Sequence, residues 1–325
     1  MPEKHDDSAD LGSLLAAGNY TSHGDMEEVL GKLPRSVKAR ISALKANQLK
    51  ALEIEARFYQ KVHALEKEFE GEFASLFEDR CKLVTGAREP SEEEKKQPIL
   101  FGLSAEELQS LDEKSDPENG EKGIPSFWLT VLKNSDLGDN ITPSDTPILE
   151  NLVDITSTVE SNPTGFTLYF HFKENEFFNN KVLKKVYEMK MTPDAEDPFD
   201  YEGPTIVKCT GDVIEWKDGK DVTKKVVKKK QKKGNNAGKF ITKTVSTDSF
   251  FNFFSPPEKT ECDEDEEDEC HVEELLQQDY EFGQTIRDVI VPRAVLYFTG
   301  EQTPDYGLDD DFPEDDDEDD DEDDE

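Results

Sequence analysis

Three short segments of the sequence hold residue types that could do chemistry. Lys224 to Lys233 read KKVVKKKQKK and place seven lysines in ten residues. A segment with so high a density of positive charge could be recognised by a receptor protein or could bind an anion. Residues 234–240 read GNNAGKF, which comes close to a phosphate-binding loop. Residues 261–271 read ECDEDEEDECH and combine cysteine, histidine and acids, the residue types that bind metal ions. Each segment would imply a different function.

The spacing of the residues excludes both a phosphate-binding loop and a metal site in these segments. A loop of the form GxxxxGK[ST] needs one more residue between its glycines and a hydroxyl after the lysine, where Phe240 stands. Cys262 and Cys270 are eight residues apart with no second pair, and a calcium loop begun at Asp263 would need glycine where Asp268 stands. The five histidines lie far apart. The sequence therefore predicts no metal ion, no cofactor and no enzyme.

The charge of the chain points to basic partners. Its 325 residues hold 76 acids and 38 Lys or Arg, a formal net charge of −38. Glu261 to Cys270 contribute eight of these acids and Asp309 to Glu325 contribute fifteen, and the remaining 53 acids against 38 bases still give −15. Such a surface repels the phosphate backbone, so direct nucleic-acid binding is not expected. No apolar run approaches the roughly 20 residues that span a bilayer, so no membrane contact is expected either.

A long amphipathic helix is the first element that these residues imply. From Pro34 to Val84 no further proline occurs, Gly71 is the only glycine, and apolar residues recur every three or four positions. About 50 residues at 1.5 Å each give roughly 75 Å, too long for one small domain to cover, which predicts a homodimer. A helix folded back on its own domain is the alternative. The predicted dimer residues are Val37, Ile41, Leu44, Leu52, Phe58, Val62, Leu65, Phe69, Phe73 and Leu76.

The remainder reads as an α+β body with an antiparallel sheet. Ser104 begins a capping box, and Ile124 to Asn134 predict a short buried helix. The apolar period then shifts to two, which is typical of strands, and the turn Asn162 to Gly165 joins two of them into a hairpin. Helices close the chain, one over residues 271–290 and one begun by Pro292. The predicted strands are residues 154–160, 166–172 and 183–191.

The lysine run lies on a predicted arm. Gly211 to Trp216 and the chain from Val222 predict a hairpin through Asp218-Gly219, because Asp-Gly fits the turns that match strand twist. The chain then turns at GNNAG and returns to Val245. Valine and lysine alternate on both faces of the outgoing strand, so neither face is a core face. The arm should project from the body, where its lysines could simply protect an exposed edge.

These elements divide the chain into five regions. We expect a disordered N-terminal segment at 1–25, a long dimerisation helix region at 26–85, and an accessory helix with linkers at 86–123. An α+β body follows at 124–301, with the basic hairpin at about 221–245, and a disordered acidic tail closes the chain at 302–325.

Five blocks of the sequence resemble the nucleosome assembly protein family of histone chaperones. They are IPSFWLTVLKN, GFTLYFHFKENEFFNNKVLKKVYEM, GDVIEWKDGKDVTKKVVKKKQKK, DSFFNFFSPP and DYEFGQTIRDVIVPRAVLYFTGE. They occur in order between about Leu33 and Glu301, and an acidic tail follows as in the family. Two departures are Phe177, where the family usually has Tyr, and a short N-terminal acidic segment.

The resemblance implies a homodimer through the long helix and shuttling between nucleus and cytoplasm. It also implies binding of core histones, both the 2A/2B dimer and the pair of histones three and four. A nuclear import receptor would read an import signal on the arm, formed by Lys224, Lys225, Lys228, Lys229, Lys230, Lys232 and Lys233. Leu49, Leu52 and Ile54 form a candidate export signal, although they also belong to the helix stripe.

Acids of the body and of the tail are the candidate histone-binding residues, because a polyanion can occupy the basic surfaces that histones use for DNA. They are Asp194, Glu196, Asp197, Asp200, Glu202, Asp279, Glu281, Asp288, Asp315, Asp316, Asp317, Glu318, Asp319, Asp320, Asp321 and Glu322. The alternative is an acidic coiled-coil scaffold without histone selectivity, which would bind an equally basic protein such as lysozyme just as well. A charged helix face is also commonly no more than a solvated surface.

Overall fold

A computed structural model of the chain describes residues 27, 30–100, 102–104, 106–107, 122–230, 240–256 and 266–303, and only the backbone at 228–230, 240–243 and 266–273. The predicted N-terminal segment and residues 304–325 of the predicted tail lie outside the described residues. The chain divides into two compact units, residues 1–65 with 190–205 and residues 66–189 with 206–325.

The predicted long helix is a single α-helix, α1, over Arg35–Val84. It begins directly after Pro34, whose carbonyl accepts hydrogen bonds from the N–H groups of Val37 and Lys38. Gly71 does not interrupt it. The capping box is also present, because Ser104 Oγ accepts from the Glu107 N–H at 3.3 Å and the Ser104 N–H donates to the Glu107 carboxylate at 2.8 Å.

In the first unit, a loop over residues 191–204 is held against α1 by one tyrosine. Tyr201 is buried in a small apolar cluster with Leu52 and Ala56. Its hydroxyl donates to the carbonyl of Met191 at 3.1 Å. Gly203, at φ +123°, lies against the Tyr59 ring, in a backbone conformation that side chains rarely adopt. The loop is therefore fixed at both ends while its middle stays on the surface.

The second unit is built on a four-stranded sheet in the order β1-β2-β3-β4. Its strands are β1 (Leu152–Ser161), β2 (Thr164–Phe172), β3 (Val182–Lys190) and β4 (Thr205–Gly211). β1 and β2 form the predicted hairpin, with Ser161 opposite Thr164. The side chains of Phe166, Leu168, Phe170 and Phe172 are all buried, as their shared face requires.

Phenylalanine fills the core between this sheet and the helices. The short helix α2 (Phe127–Lys133) forms as predicted and buries Trp128 completely, and a single turn, α3 (Thr146–Leu149), follows. The FFNFF segment forms a 3₁₀ turn, Phe250–Phe254, and three of its rings lie 5.2 to 6.1 Å from Phe170. Edge-to-face packing at these distances adds to the free energy of burial. The phenylalanines of β2 and of the FFNFF segment are therefore core residues.

Of the two predicted C-terminal helices, the first begins earlier than predicted and the second begins two residues after Pro292. α4 covers Glu266–Thr285, so it starts inside the acidic segment Glu261 to Cys270 and not at His271. Acidic residues stabilise the first turn of a helix through its dipole, which explains the earlier start. A π-helical segment, Ile286–Ile290, continues it, and α5 covers Ala294–Thr299.

The predicted hairpin through Asp218-Gly219 is wrong. Gly219 does turn, at φ +73°, but Trp216 forms an isolated bridge with Phe178 and packs its ring on Phe178 at 5.6 Å. Because Trp216 is bridged to Phe178, it does not pair with the strand that was predicted to begin at Val222. The chain after the turn instead enters β5 (Lys224–Lys230), which pairs antiparallel with β6 (Phe240–Ser246), and the sequence prediction missed β4.

A buried lysine joins β3 to α4. Lys185 is fully buried and its Nζ donates to Asp279 at 2.7 Å and to the carbonyl of Phe253. Asp279 also accepts from the hydroxyl of Tyr187 at 2.9 Å and from the thiol of Cys209 at 3.0 Å. Burial raises the pKa of Cys209 to about 12 and the pKa of Tyr187 well above its ordinary value, so both stay protonated donors.

A second buried charge lies where α1 crosses the sheet. Arg80 stacks on the rings of Phe77 and Trp128, donates to the carbonyl of Val291, and approaches Asp154 at 3.6 Å. Burial dominates for both charged partners. Burial lowers the pKa of Arg80 and raises the pKa of Asp154 from 3.8 to about 6. The attraction between the two charges opposes both shifts.

Asp154 predicts a pH dependence of stability. Because its pKa is higher in the folded state, its charged form destabilises the fold above about pH 6, and this destabilisation is lost as the pH falls from 6 towards 4. Asp154→Asn has no titrating group there. The free energy of unfolding of the wild type, minus that of the variant, should therefore rise by on the order of 1–2 kcal/mol from pH 7.5 to pH 5 in urea titrations.

The exposed Asp218→Asn is the matched control, and its difference from the wild type should stay flat over the same pH range. A flat difference for Asp154→Asn as well would contradict the raised pKa.

Candidate functional site

The loop of the first unit displays five of the predicted histone-binding acids. Asp194, Glu196, Asp197, Asp200 and Glu202 all lie within nine residues and all are exposed. The Tyr201 anchor faces α1, which leaves these carboxylates on the outer side of the loop. The five residues therefore lie together on one exposed loop, and their role in histone binding stays a prediction.

Two lysines of the same unit already contact this loop. Lys190 bonds to Asp194 at 2.6 Å, and this hydrogen bond lowers the pKa of the Asp194 carboxyl. Lys45 lies 5.1 Å above the ring of Phe199, which is 43% exposed among the acids. Both contacts are those that a basic partner would make, a charge-assisted hydrogen bond and a cation–π contact.

The predicted acids of the second unit do not act together. Asp279 is a correction to the prediction, because its carboxylate is 11% exposed and is held by Lys185, Tyr187 and Cys209. The helix turn that carries it faces the sheet, and a solvated helix face was wrong for this residue. Glu281 is exposed, and its carboxylate accepts from Gln277 at 3.0 Å.

Asp288 lies apart from both, on the π-helical segment. It rims a groove of about 260 Å³ whose floor includes Phe69, Phe73 and Phe77 of α1. Burial raises the pKa of the Asp288 carboxyl, and Arg287 beside it opposes that rise. The groove is mainly apolar, so Asp288 belongs to an apolar surface with an acidic rim and not to an open acidic face.

An acidic pocket that the sequence analysis missed lies between the α2–α3 connection, the FFNFF turn and α4. Its volume is about 520 Å³. Two exposed carboxylates, Asp139 and Asp248, stand at its rim, and three amides and two hydroxyls line it beside them. Asp279, one of the predicted histone-binding acids, also lines the pocket, although its carboxylate is bonded to Lys185. Phe250, Phe253 and Phe282 supply aromatic walls, and the rings of Phe253 and Phe282 lie 4.8 Å apart.

A fully buried aspartate positions the two acidic segments of this pocket. Asp145 accepts from the Thr142 N–H at 2.9 Å and the Thr142 hydroxyl at 2.8 Å, just after the turn that carries Asp139. It also accepts from the Ser249 hydroxyl at 2.6 Å and the Phe250 N–H at 3.0 Å, just after Asp248. One carboxylate with four donors thus ties both segments together. Asp248 directly precedes the SFFNFF block, which was the available sequence signal.

The described part of the lysine arm is a two-stranded ribbon. Lys224 and Lys225 are exposed, and Lys224 pairs with Asp221 at 3.2 Å. Val226 and Val227 point to opposite faces and both are exposed, so neither face packs on a core. Lys228, Lys229 and Lys230 belong to β5 by backbone, and Lys232 and Lys233 lie outside the described residues, as do Asp315 to Glu322.

The apolar stripe of α1 is largely exposed in this chain. Val37 and Ile41 are half-buried. Leu52 departs from the prediction, because Tyr201 of the same chain buries it and removes it from the outer stripe and from the exposed part of the candidate export signal. The exposed members are Leu44, Phe58, Val62, Leu65, Phe69, Phe73 and Leu76. Among the described residues no helix is long and apolar enough to cross a membrane.

Comparison with known proteins agrees with this architecture. The family model described as nucleosome assembly protein matches residues 39–301. Nucleosome assembly protein 1-like 1 of Homo sapiens is 46% identical over 312 residues, which cover 92% of this chain and 78% of the human protein. Nucleosome assembly protein 1-like 1-A of Xenopus laevis is 46% identical over 289 residues, covering 86% and 72%.

A solved structure agrees as well. Nucleosome assembly protein 1 from Plasmodium knowlesi superimposes with a TM-score of 0.51 at 26% identity, covering 83% of this chain and 99% of that one. The fold is thus shared with that structure along most of this chain. The chain therefore belongs to the nucleosome assembly protein family, a non-enzymatic family of histone chaperones.

Proposed function

We propose that this protein binds core histones, both the 2A/2B dimer and the pair of histones three and four, and shields the basic surfaces that contact DNA. It would promote nucleosome assembly and histone transport without ATP hydrolysis. Family membership supports the chaperone role, and the acidic pocket with aromatic walls is the observation that carries the binding mode.

The pocket suits a lysine or arginine side chain. The aliphatic stem of such a side chain packs on aromatic rings while its charged end stays near the rim, where Asp139 and Asp248 would pair with it. The core already contains this combination, since Lys185 Nζ lies 4.4 Å from the Phe253 ring and bonds to Asp279. A histone lysine would meet the same chemistry from the outside.

The exposed loop of the first unit and the tail act with the pocket. The loop offers five carboxylates and Phe199, and the tail adds the acids of Asp315 to Glu322. Many charge contacts between the tail and basic segments would raise the local concentration of histone. DNA has a denser charge and takes the histone once nucleosome geometry is available, so the chaperone chiefly prevents wrong complexes.

A charge-matched pair of variants tests the pocket. Asp139→Asn with Asp248→Asn removes two rim charges without touching the buried Asp145. Affinity for the 2A/2B dimer should fall about tenfold, because two partly desolvated ion pairs are lost. Titration with a fluorescently labelled histone dimer measures this change.

The control carries Asp136→Asn with Asp218→Asn, two exposed acids that do not line the pocket. It removes the same charge and should lose less than about twofold. Equal losses in both proteins would mean that net charge alone attracts the histone. A wild type that binds lysozyme as tightly as histones would instead support the scaffold alternative.

We also infer a homodimer through the exposed stripe of α1, as the family fold implies. Apolar side chains such as Phe69 and Phe73, 44% and 54% exposed, recur along more than 30 Å of one helix, and a second helix would remove them from water. Leu52 is not part of this interface, because Tyr201 already covers it.

Leu65→Asp with Phe69→Asp should convert the dimer to monomer, because two carboxylates would enter the apolar seam at a cost of roughly several kcal/mol. Sedimentation velocity measures the change. Gln60→Asp with Ala64→Asp adds the same acids to exposed positions on the other side of α1 and should stay dimeric. A dimeric Leu65/Phe69 variant would show that the interface lies elsewhere.

The lysine arm is proposed as the nuclear import signal. Lys228→Ala, Lys229→Ala and Lys230→Ala together should lower the nuclear-to-cytoplasmic ratio of the protein several-fold, because an import receptor reads clustered charge on an accessible strand. Fluorescence microscopy of tagged protein in cells measures the ratio, and histone affinity should stay within about twofold.

A triple variant of exposed lysines outside the arm controls for lost charge, with Lys50→Ala, Lys61→Ala and Lys133→Ala. It should distribute like the wild type. If the arm variant also distributes like the wild type, edge protection becomes the better account of the lysines.

A further inference from the structure

Among the described residues, none pairs with the outer edge of β4, the strand on which the sheet of the second unit ends. β4 is the last strand in the order β1-β2-β3-β4. The N–H of Asp212, just past its end, donates to the carbonyl of Lys184 in β3 at 2.9 Å. Regular alternation then directs the N–H groups of Lys208 and Thr210 to β3 and those of Val207 and Cys209 to the outer edge.

In the part of the chain that the structure describes, the opposite edge of the sheet is bonded to a helix side chain, and the edge at β4 is not. On β1, the N–H of Val159 donates to the carboxylate of Glu70 on α1 at 2.7 Å. Along β4, a groove of about 620 Å³ runs between the strand, the end of the FFNFF turn and α4, a size typical of ligand sites. Cys209, Phe254 and Leu276 form its buried base.

The apolar core is incomplete at this edge. Val207 and Cys209 share one face of β4, and Cys209 is buried in the core while Val207 is 55% exposed. Val213, just past the strand, is 85% exposed and also lines the groove. Inward side chains of one more strand would cover Val207 and enter the groove above Leu276.

We propose that β4 and this groove bind an extended segment of a partner protein, which adds a fifth strand to the sheet. An extended backbone satisfies the free edge groups, and alternate side chains of the segment fill the groove, the mode known as β-strand addition. The partner segment has β-branched or other apolar residues at alternate positions and an acidic residue opposite Lys208. This surface is separate from the acidic pocket and independent of histone binding.

Two other occupants fit the groove less well. Residues 257–265, PEKTECDED, follow Pro256 in the sequence, but their one β-branched residue is Thr260 and they carry no large apolar side chain, which is too little to cover both Val207 and Val213. A second copy of β4 paired antiparallel about its middle would place Lys208 opposite Lys208. Like charges directly opposite destabilise a strand pair, so Lys208 disfavours self-pairing and favours an acid.

Three synthetic peptides test the proposal on the full-length protein. The first is a blocked, fluorescein-labelled heptapeptide of alternating valine and threonine with a central glutamate. The second has lysine at the centre, and the third is the glutamate peptide with alternate amides N-methylated. By fluorescence anisotropy the glutamate peptide should bind about threefold to tenfold more tightly than the lysine peptide. The N-methylated peptide should bind at least tenfold more weakly, because it cannot form the ladder.

Charge reversal at Lys208 locates the site. Lys208→Glu changes one exposed side chain and should reverse the preference between the glutamate and lysine peptides. Hydrogen exchange at the amides of Val207 and Cys209 should be fast in the free protein and slow when the glutamate peptide is bound. The proposal is wrong if no peptide binds at millimolar concentration, if N-methylation has no effect, or if Lys208→Glu leaves the preference unchanged. Slow exchange in the free protein would also overturn it, since the edge would then be covered by the chain itself or by a second copy.

Discussion

The ion pair between Lys185 and Asp279 lies at the centre of the second unit, and both of its candidate binding surfaces depend on it. It fixes α4 to β3 with a fully buried ammonium, and it orients Tyr187 and Cys209 as donors to the same carboxylate. Asp279 lines the acidic pocket and Cys209 lies at the base of the β4 groove. Buried ion pairs are costly to desolvate, so the value of this one lies in fixing the register of α4.

That register sets what each side of α4 can bind. Gly283 allows the ring of Tyr187 to lie against the helix, where any side chain would collide with it. With the helix so close, Phe282 reaches Phe253 and completes the aromatic walls of the pocket, while Leu276 reaches the groove on the other side. A polar contact in the core thus determines both candidate binding surfaces.

Patterns that depend on local chemistry were readable from the sequence, and contacts between distant segments were not. The period of α1, the Ser104 cap, α2 and the β1–β2 hairpin all follow from residues close in sequence. The hairpin through Asp218-Gly219 failed because Trp216 is bridged to Phe178, a contact 38 residues away in the chain that no turn signal reveals. The predictions for Asp279 and Leu52 were wrong for the same reason, because the residues that contact them, Lys185 and Tyr201, belong to other elements. The acidic pocket needs three segments that are distant in sequence, two of which Asp145 ties together, so Asp139 and Asp248 carried no sequence signal of a shared site.

The ion pair of Asp279 affects how many carboxylates of this acidic protein can release counterions when a basic protein binds. A carboxylate bonded to a buried ammonium condenses no counterion, and so it releases none when a basic protein arrives. The same holds in part for Asp194, which already shares the charge of Lys190. The net charge of −38 already sets the charge of Asp279 against that of Lys185, so it is the count of 76 acids that overstates the carboxylates open to a basic partner. The ion-exchange capacity of this protein, and with it the dependence of binding on salt, is set by the acids that the fold leaves without an internal cation.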